Sequence, residues 1–483
     1  MKSKYPEGTS VIIGYDHRHN SKLFALSSAQ VYLAYGHKVR IFPDIVPTPF
    51  VPSSLQCLNV GLGVMVTASH NPKKDNGYKV YGANGAQIVD HVAKEIVEFI
   101  SRERARFVEI KNAPQFVIDE EDSKELMEKV TSWYIEKLTS FLAQYKSENA
   151  CNPRVVYTPL HGVGGKYVHQ VFEAIFGDST KLVSVPAQMM PDPDFPTVDF
   201  PNPEEGASTL KLAMAEADLQ GINHVFANDP DADRFCLAEK DAETGAWRIF
   251  NGNEIAVLLA DFIASKVTSD DFDFEYVMLA SCVSSRFLEK YCRRRGWHFE
   301  STSTGFKNLG NRGLQLKNDS KKMKILFAYE EAIGFQVGDW NFDKDGISAM
   351  MTFYSLMRFN EKLSLSSVLS RIYEAEGVWP LQFNGYYICK PASRIKPILQ
   401  SIKAPAGSVF KNDGSVVTVE YPSKGVWLML RSSGTEPKLK YYSEMLLRGD
   451  YKGDNADIER MEFEEMMRRI IEEMIEPEKN GLI

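Results

Sequence analysis

Thr67-Ala68-Ser69-His70-Asn71-Pro72 follows an apolar run, Gly61 to Val66, that reads as a buried strand. A serine therefore stands at the carboxyl end of a strand, where the backbone must turn. Open α/β sheets bind ligands outside such strand ends. Asp229-Pro230-Asp231-Ala232-Asp233-Arg234 likewise follows a short apolar segment, His224 to Ala227. One nucleophile-like hydroxyl and one carboxylate cluster, each at a strand end, point to phosphoryl transfer with a divalent metal.

Outward from these two loops, strand-like and helix-like stretches alternate, which predicts an α/β fold with parallel layers. Val11 to Ile13 opens the series. Ser21 is placed to cap a helix whose apolar face includes Leu23, Phe24, Ala25 and Leu33, with Gly36 as its stop. Lys38 to Phe42 is the next strand, and Pro47, Pro49 and Pro52 break regularity before the serine loop. A charged helix is expected between Asp119 and Lys146, then a strand at Arg154 to Tyr157 and a helix from about Glu204 to Leu219. Ser269 to Asp273 reads as a polar seam and Tyr276 to Ala280 as a strand. A last seam near Pro380 precedes short β segments and a closing helix around Glu464 to Glu473.

Bulk properties narrow the class. A chain of 483 residues exceeds what one core fills, so several domains are expected. Hydrophobic residues at 44% and charged residues at 25% are ordinary for a soluble globular protein. A net charge of −8 argues against nucleic acid held by bulk electrostatics, although a local cationic pocket still admits small anions. Cys57, Cys151, Cys236, Cys282, Cys292 and Cys389 are scattered without a CxxC pair, which suits reduced thiols and opposes a disulfide framework or zinc site. No apolar stretch approaches the ~20 residues that span a bilayer. The first residues carry no apolar core of the signal-peptide kind. A cytoplasmic protein is the expectation.

Each candidate site residue has a chemical rationale. Asp229, Asp231 and Asp233 alternate, with Pro230 stiffening the turn, and closely spaced carboxylates suit a hard cation such as Mg²⁺. An EF-hand fails in detail: its sixth position is Arg234 instead of glycine and its twelfth is Lys240 instead of glutamate. Arg234 can bridge metal site and substrate through charge-assisted bonds. A serine hydrolase would require a GxSxG elbow, which Ser69 lacks, and a base from a distant segment, a part for which adjacent His70 is poorly placed. Glu330 and Glu331 follow the apolar segment Ile325 to Ala328 and offer acceptors for sugar hydroxyls. Arg431-Ser432-Ser433-Gly434-Thr435 gathers a guanidinium, three hydroxyls and a glycine into one loop suited to phosphate.

Four segments together resemble the α-D-phosphohexomutases, the phosphoglucomutase and phosphomannomutase superfamily. They are Thr67 to Pro72; Asp229 to Arg234; Thr304-Gly305-Phe306-Lys307 with Glu330-Glu331-Ala332-Ile333-Gly334; and Arg431 to Pro437. Their order and spacing extend the resemblance over nearly the whole chain. It implies three similar mixed-sheet α/β domains (residues 1–148, 149–270 and 271–380) and a smaller α+β domain (381–483) around a central cleft. It implies that Ser69 carries the phosphoryl group and that its phosphate oxygen joins Asp229, Asp231 and Asp233 on Mg²⁺. His70 and Lys79 then transfer protons with the sugar hydroxyl. Substrate would be bound by Arg234, Thr304, Gly305, Lys307, Glu330, Lys344, Arg431, Ser432, Ser433, Gly434 and Thr435.

The implied reaction moves phosphate between C1 and C6 of glucose, or C1 and C5 of ribose or deoxyribose, through a bisphosphorylated sugar. Glucose 1,6-bisphosphate, or another sugar bisphosphate, is the phosphorylating activator. A monomer acting on small phosphosugars is expected, with neither nucleic acid nor membrane as partner. Many hexose-specific members carry a serine where this chain has Ala332. The Glu-Glu-Ala-Ile-Gly form resembles the branch with phosphopentomutase and glucose-1,6-bisphosphate synthase. That synthase activity is the alternative, as is a truncated, catalytically impaired relative that only binds phosphosugars. Two departures motivate the last alternative. The family's Phe-Gly-Thr-x-Gly-x-Arg-Gly loop has no counterpart ahead of Tyr15-Asp16-His17-Arg18, and Arg18 belongs to a different family segment. Pro391 to Val416 is short for a complete fourth domain. Lower activity and an association-prone first sheet are the expectations that follow.

Overall fold

The computed structural model describes residues 8–104, 109–110, 116–145, 150–267, 273–359, 364–434, 436–448 and 454–483. The chain divides into two compact units, Met1–Ser284 with Cys292–Val368, and Ser285–Tyr291 with Leu369–Ile483.

Three four- or five-stranded mixed sheets build the first unit. The first combines β1 (Ser10–Tyr15), α1 (Ser21–Ala34), β2 (Lys38–Ile41), α2 (Phe50–Leu58), β3 (Leu62–Val66) and β4 (Tyr78–Gly82), followed by α3 (Asp90–Arg102) and α4 (Glu120–Ala143). Its order is β2-β1-β3-β4, with β4 antiparallel to β3 and the other pairs parallel. The second holds β5 (Val155–Thr158), α5 (Gly164–Phe176), β6 (Leu182–Ser184), α6 (Ala207–Gln220), β7 (His224–Ala227), β8 (Cys236–Lys240) and β9 (Trp247–Phe250) in the order β6-β5-β7-β8-β9. After α7 (Gly252–Ala264), the third sheet adds β10 (Glu275–Ser281), β11 (His298–Thr302), β12 (Met323–Glu330) and β13 (Gly334–Val337) in the order β11-β10-β12-β13. Helices α8 (Phe287–Arg294), α9 (Phe306–Asp319), α10 (Gly346–Phe359) and α11 (Leu365–Glu376) belong to this stretch of chain.

The same strand order thus recurs three times, and in each repeat an antiparallel strand follows the third strand, with β9 added beyond it in the second. The β3–β4, β7–β8 and β12–β13 connections are equivalent turns. Those three turns carry the serine loop, the aspartate loop and the Glu330–Ile333 segment. Apolar runs explain the strands: every residue of β3 is buried, and Val11, Ile13, Val64 and Val66 pack in one core. Helix α1 corrects the expected face. Leu23, Phe24 and Leu33 are 58%, 42% and 43% exposed, while Ser21, Ala25 and Ala29 are buried. Small residues four apart allow the helix to approach the sheet closely, so bulk sits outside. Nor does Ser21 cap this helix: it is the first helical residue, and its hydroxyl donates to Asp16 Oδ1 over 2.6 Å.

The second unit is an antiparallel sheet with helices. It comprises β14 (Val378–Gln382), β15 (Gly385–Ile388), α12 (Ile395–Ser401), β16 (Val409–Asn412), β17 (Val416–Tyr421), β18 (Val426–Ser432), β19 (Lys438–Arg448) and α13 (Asp454–Ile475). The order is β14-β19-β18-β17-β16, with β15 also paired to β19. Leu399, Val419, Leu428, Met467 and Ile471 belong to its core. Buried Glu444 gathers donors from the Arg286 amide (2.9 Å), Gln382 (2.9 Å), Trp427 (3.2 Å) and the Ser285 hydroxyl. The packing break lies between Val368 and Leu369, and residue 380 falls within β14. Most of the seam expected at Ser269–Asp273 lies outside the described residues. No described helix is long and apolar enough to cross a membrane.

Asp345 fixes the start of α10 within the first unit. Its Oδ1 accepts the Ile347 and Ser348 amides at 3.1 and 3.0 Å, and Tyr134 on α4 donates to the carboxylate at 2.8 Å. Burial outweighs these bonds and pushes the carboxyl up from 3.8 to about 6. Folded Asp345 therefore holds a proton at pH values where the unfolded chain has released it. Its contribution is present below about pH 4 and is lost as pH rises through about 6. Neutral Asp345→Asn escapes this loss, so the variant's Tm relative to wild type should improve as pH rises from 4 to 7. A Tm difference independent of pH would refute the buried titration.

Candidate active site

Charge neutralisation builds the site in the first unit. Asp229, Asp231 and Asp233 are fully buried, with one oxygen of each within 4.8 Å of the others. Lys79 on β4 places Nζ 2.7 Å from both Asp231 Oδ2 and Asp233 Oδ2. Lys344 Nζ lies 3.1 Å from Asp233, and Arg234 Nε 3.9 Å from Asp229. Thr48, between β2 and α2, donates its hydroxyl to Asp231 Oδ2 at 2.6 Å and its amide to Asp231 O at 2.9 Å. Residues from all three sheets thus meet at one carboxylate cluster.

Titration follows from that crowding. Burial and the two neighbouring carboxylates push Asp229 well up. Burial raises Asp231 and Asp233 too, but Lys79, with Lys344 at Asp233, outweighs it and holds both below the usual range. Burial alone would lower Lys79; Asp231 and Asp233 reverse this, so its ammonium binds its proton more tightly than an ordinary lysine. His70 is pushed well down by burial and by Arg234 and Lys344.

Ser69 closes the arrangement. Its hydroxyl donates to Asp229 Oδ2 at 2.9 Å, and His70 Nδ1 lies 3.4 Å from the serine Oγ, at the outer limit of a hydrogen bond. The Ser69 amide donates to Thr67 Oγ1 at 2.9 Å. Around the aspartates, Arg234 O accepts Asn228 Nδ2 at 2.5 Å, and the Phe235 amide donates to Ile333 O at 3.1 Å. Gly346 is required here by close approach: a Cβ would stand 2.2 Å from Arg234 O.

The sugar-binding candidates separate into two groups. Glu330 Oε1 accepts the Gly305 amide at 2.6 Å, which joins the Thr304–Lys307 loop to β12. Thr304 O accepts Asn308 Nδ2 at 2.9 Å. Lys307 instead pairs with the Asp90 carboxylate, and Arg234 Nη1 pairs with Glu204 at 3.2 Å. Glu331 is tied to Ser281 at 3.0 Å and, through its amide, to Ser284 at 3.1 Å. Lys344 joins the aspartates, as described above.

In the second unit, Arg431 is the penultimate residue of β18 and donates to Tyr442 Oη at 2.9 Å and to Ser432 O at 3.1 Å. The Ser433 amide donates to Lys438 O at 2.8 Å, so Arg431, Ser432, Ser433 and Gly434 stand at a β-hairpin. Lys438 is committed to Glu436 at 2.8 Å. Thr435 lies outside the described residues.

Thr48 and Glu204 belong to this environment but do not emerge from sequence reasoning, and Arg18 enters that reasoning only as part of a different family segment. The prolines around Thr48 signal a turn and conceal a buried donor. Asp231 Oδ1 and Asp233 Oδ1 are buried without a hydrogen-bond partner among the described residues. Two orphaned carboxylate oxygens in a three-aspartate cluster fit a hard cation.

Family models described as phosphoglucomutase/phosphomannomutase alpha/beta/alpha domains I, II and III match residues 1–107, 132–245 and 251–375 in turn. The chain belongs to the phosphoglucomutase/phosphomannomutase family. It is 35% identical to the phosphopentomutase of Pongo abelii over 98% of this chain and 83% of that one. It is 36% identical to that organism's glucose 1,6-bisphosphate synthase over 98% and 82%. The Paramecium phosphoglucomutase parafusin, solved in an open form, shares the fold at TM-score 0.65 and 17% identity, covering 97% of this chain and 89% of that one. The Aspergillus fumigatus N-acetylphosphoglucosamine mutase, solved with GlcNAc-6P and magnesium, matches at TM-score 0.51 and 15% identity, over 88% and 90%.

Titration calorimetry with Mg²⁺ or Mn²⁺ should show one cation per chain. Asp231→Asn should weaken it at least about tenfold, and Thr48→Val, which removes the donor to that ligand, about tenfold as well. Unchanged binding in a folded Asp231→Asn variant would place the cation elsewhere.

Proposed function

We propose that this chain is a Mg²⁺-dependent phosphosugar mutase acting on pentose and glucose phosphates through phosphorylated Ser69 and a sugar bisphosphate. The observation that carries it is the Ser69 hydroxyl on Asp229 at the edge of a buried, lysine-flanked aspartate triad. In this reading Asp229, Asp231 and Asp233 hold Mg²⁺, together with an oxygen of the Ser69 phosphate. Bound there, the ion offsets charge on the transferred phosphoryl group.

The remaining roles follow from proton affinities and donors. Lys79 is one candidate for proton transfer: in the cation-free site two aspartates hold its proton tightly, which weakens it as an acid, and a divalent cation taking over those carboxylates would release that hold. His70, kept neutral by burial and nearby cations, serves as acceptor. Glu330, oriented by the Gly305 amide, accepts from sugar hydroxyls, and Arg234 and Lys344 bind substrate oxygens. Thr304, Gly305 and Lys307 form the adjoining substrate loop. Arg431, Ser432, Ser433, Gly434 and Thr435 form a phosphate-binding loop of the second unit. We assign four domains, the first three beginning at residues 1, 149 and 271, with the last boundary moved from 380 to the packing break after Val368, and a cytoplasmic monomer using free phosphosugars.

Pentose use is favoured by Ala332, which leaves one hydroxyl fewer beside Glu330, and by the phosphopentomutase among the relatives. Glucose 1,6-bisphosphate synthase activity is the second reading, favoured by a relative of equal similarity that bears that name. Incubation with glucose 1,6-bisphosphate should label Ser69 by mass spectrometry. Ribose 1-phosphate should then exceed glucose 1-phosphate in kcat/KM. No label with intact phosphosugar binding would show an impaired relative. A preference for glucose 1-phosphate would overturn the pentose assignment. Faster phosphate transfer from 1,3-bisphosphoglycerate to a hexose phosphate would favour the synthase.

A further inference from the structure

Arg18 is buried directly beneath the serine loop, and its side chain is fully enclosed. Nη2 donates to Ser69 O and to Asn71 O, both at 2.6 Å. Nη1 donates to Pro72 O at 2.9 Å and reaches Asp75 O at 3.4 Å. Nε faces Asp16 Oδ2 at 3.4 Å, and the guanidinium carbon stands 5.1 Å from the Phe195 ring centre. Asp16 is itself fixed by the Ser21 hydroxyl at 2.6 Å and the Arg18 amide at 3.0 Å. One planar fork therefore gathers four backbone carbonyls of a seven-residue stretch.

That stretch needs such a tie. Ser69 has φ +52°, a left-handed conformation that a residue with a Cβ rarely adopts. Its carbonyl, in a turn, has no strand or helix partner to accept from. Gly77 closes the loop under Thr67, where a Cβ would sit 2.4 Å from Thr67 O. The strained serine is thus held at its own carbonyl, two bonds from the Cα that directs its hydroxyl to Asp229.

We propose that Arg18 is a positioning residue: by clamping the carbonyls of Ser69, Asn71, Pro72 and Asp75, it holds Ser69 in the conformation that presents its hydroxyl to the aspartate cluster. This consequence for phosphoryl transfer rests on the mutase reading; the clamp itself does not. Arg18 touches none of the proposed sugar contacts, so its loss acts on the nucleophile's orientation and not on sugar affinity. Lysine retains the charge but not the fork, and it cannot serve four acceptors.

Full-length wild type, Arg18→Ala and Arg18→Lys are compared by hydrogen exchange and by Ser69 phosphorylation from glucose 1,6-bisphosphate. In Arg18→Ala, amides of residues 69–77 should exchange at least about tenfold faster, while β10 and β12 keep their protection. The phosphorylation rate should fall on the order of 100-fold with KM for ribose 1-phosphate unchanged. Millimolar guanidinium should restore part of that rate and methylammonium none. Arg18→Lys should fall between the two, and it supplies the same readings if Arg18→Ala does not fold. Unaltered exchange at 69–77 in a folded variant would overturn the clamp, as would a rise in KM with kcat intact. Wild type unlabelled at Ser69, with the loop still loosened in the variants, would defeat the mutase reading and uphold the clamp.

Discussion

Three carboxylates buried within 4.8 Å of each other are the constraint on which the first unit depends. At an effective dielectric of ~20, each such pair repels by roughly 3–4 kcal/mol. Lone burial of that cluster would not survive folding. Lys79 comes from the first sheet and Lys344 from beyond the third, while Arg234 follows directly in the second. Three cations surround the three aspartates, and that arrangement exists only when three sheets are assembled. Folding of the unit and formation of the site are therefore one event.

The threefold repetition of strand order explains how separate segments reach one place. In every repeat the site loop joins the third strand in chain order to its antiparallel neighbour. Each of these turns carries one non-glycine residue in the left-handed region: Ser69, Ala232 and Ile333. Such residues cost on the order of 1–2 kcal/mol each and persist when surrounding bonds over-determine them. The bonds are visible: Arg18 on the first loop, Thr48 and the Asp229 carbonyl on the second, and the Phe235 amide on the third. Strain is spread over equivalent turns and borne by contacts between loops.

The strands were legible because their apolar runs are local. His224–Ala227 is β7 as read from sequence, and Gly61–Val66 differs from β3 by one residue. The two acidic and hydroxyl loops were equally legible, since their residue types carry the chemistry in adjacent positions. Helix α1 was not, because its choice of face depends on how near the sheet lies, and the alanines won over the leucines. Thr48 and the part played by Arg18 were hidden for another reason. A buried threonine between prolines and an arginine in a polar turn look ordinary until their acceptors, 183 and more than 50 residues away, are in place. Lys307 shows the converse: a motif lysine whose described partner is Asp90.

Charge balance also indicates what the site is built to receive. With lysines and arginine already beside the aspartates, a divalent cation at the orphaned Asp231 and Asp233 oxygens would add positive charge to a set that already holds cations. A phosphorylated serine carries ≈ −1.5 to −2 at neutral pH, charge of the sign that would offset it. A bare hydroxyl carries none. In the proposed mechanism the cation and the Ser69 phosphate would therefore offset each other's charge beside the aspartates, which is why the two belong to one reading of the site.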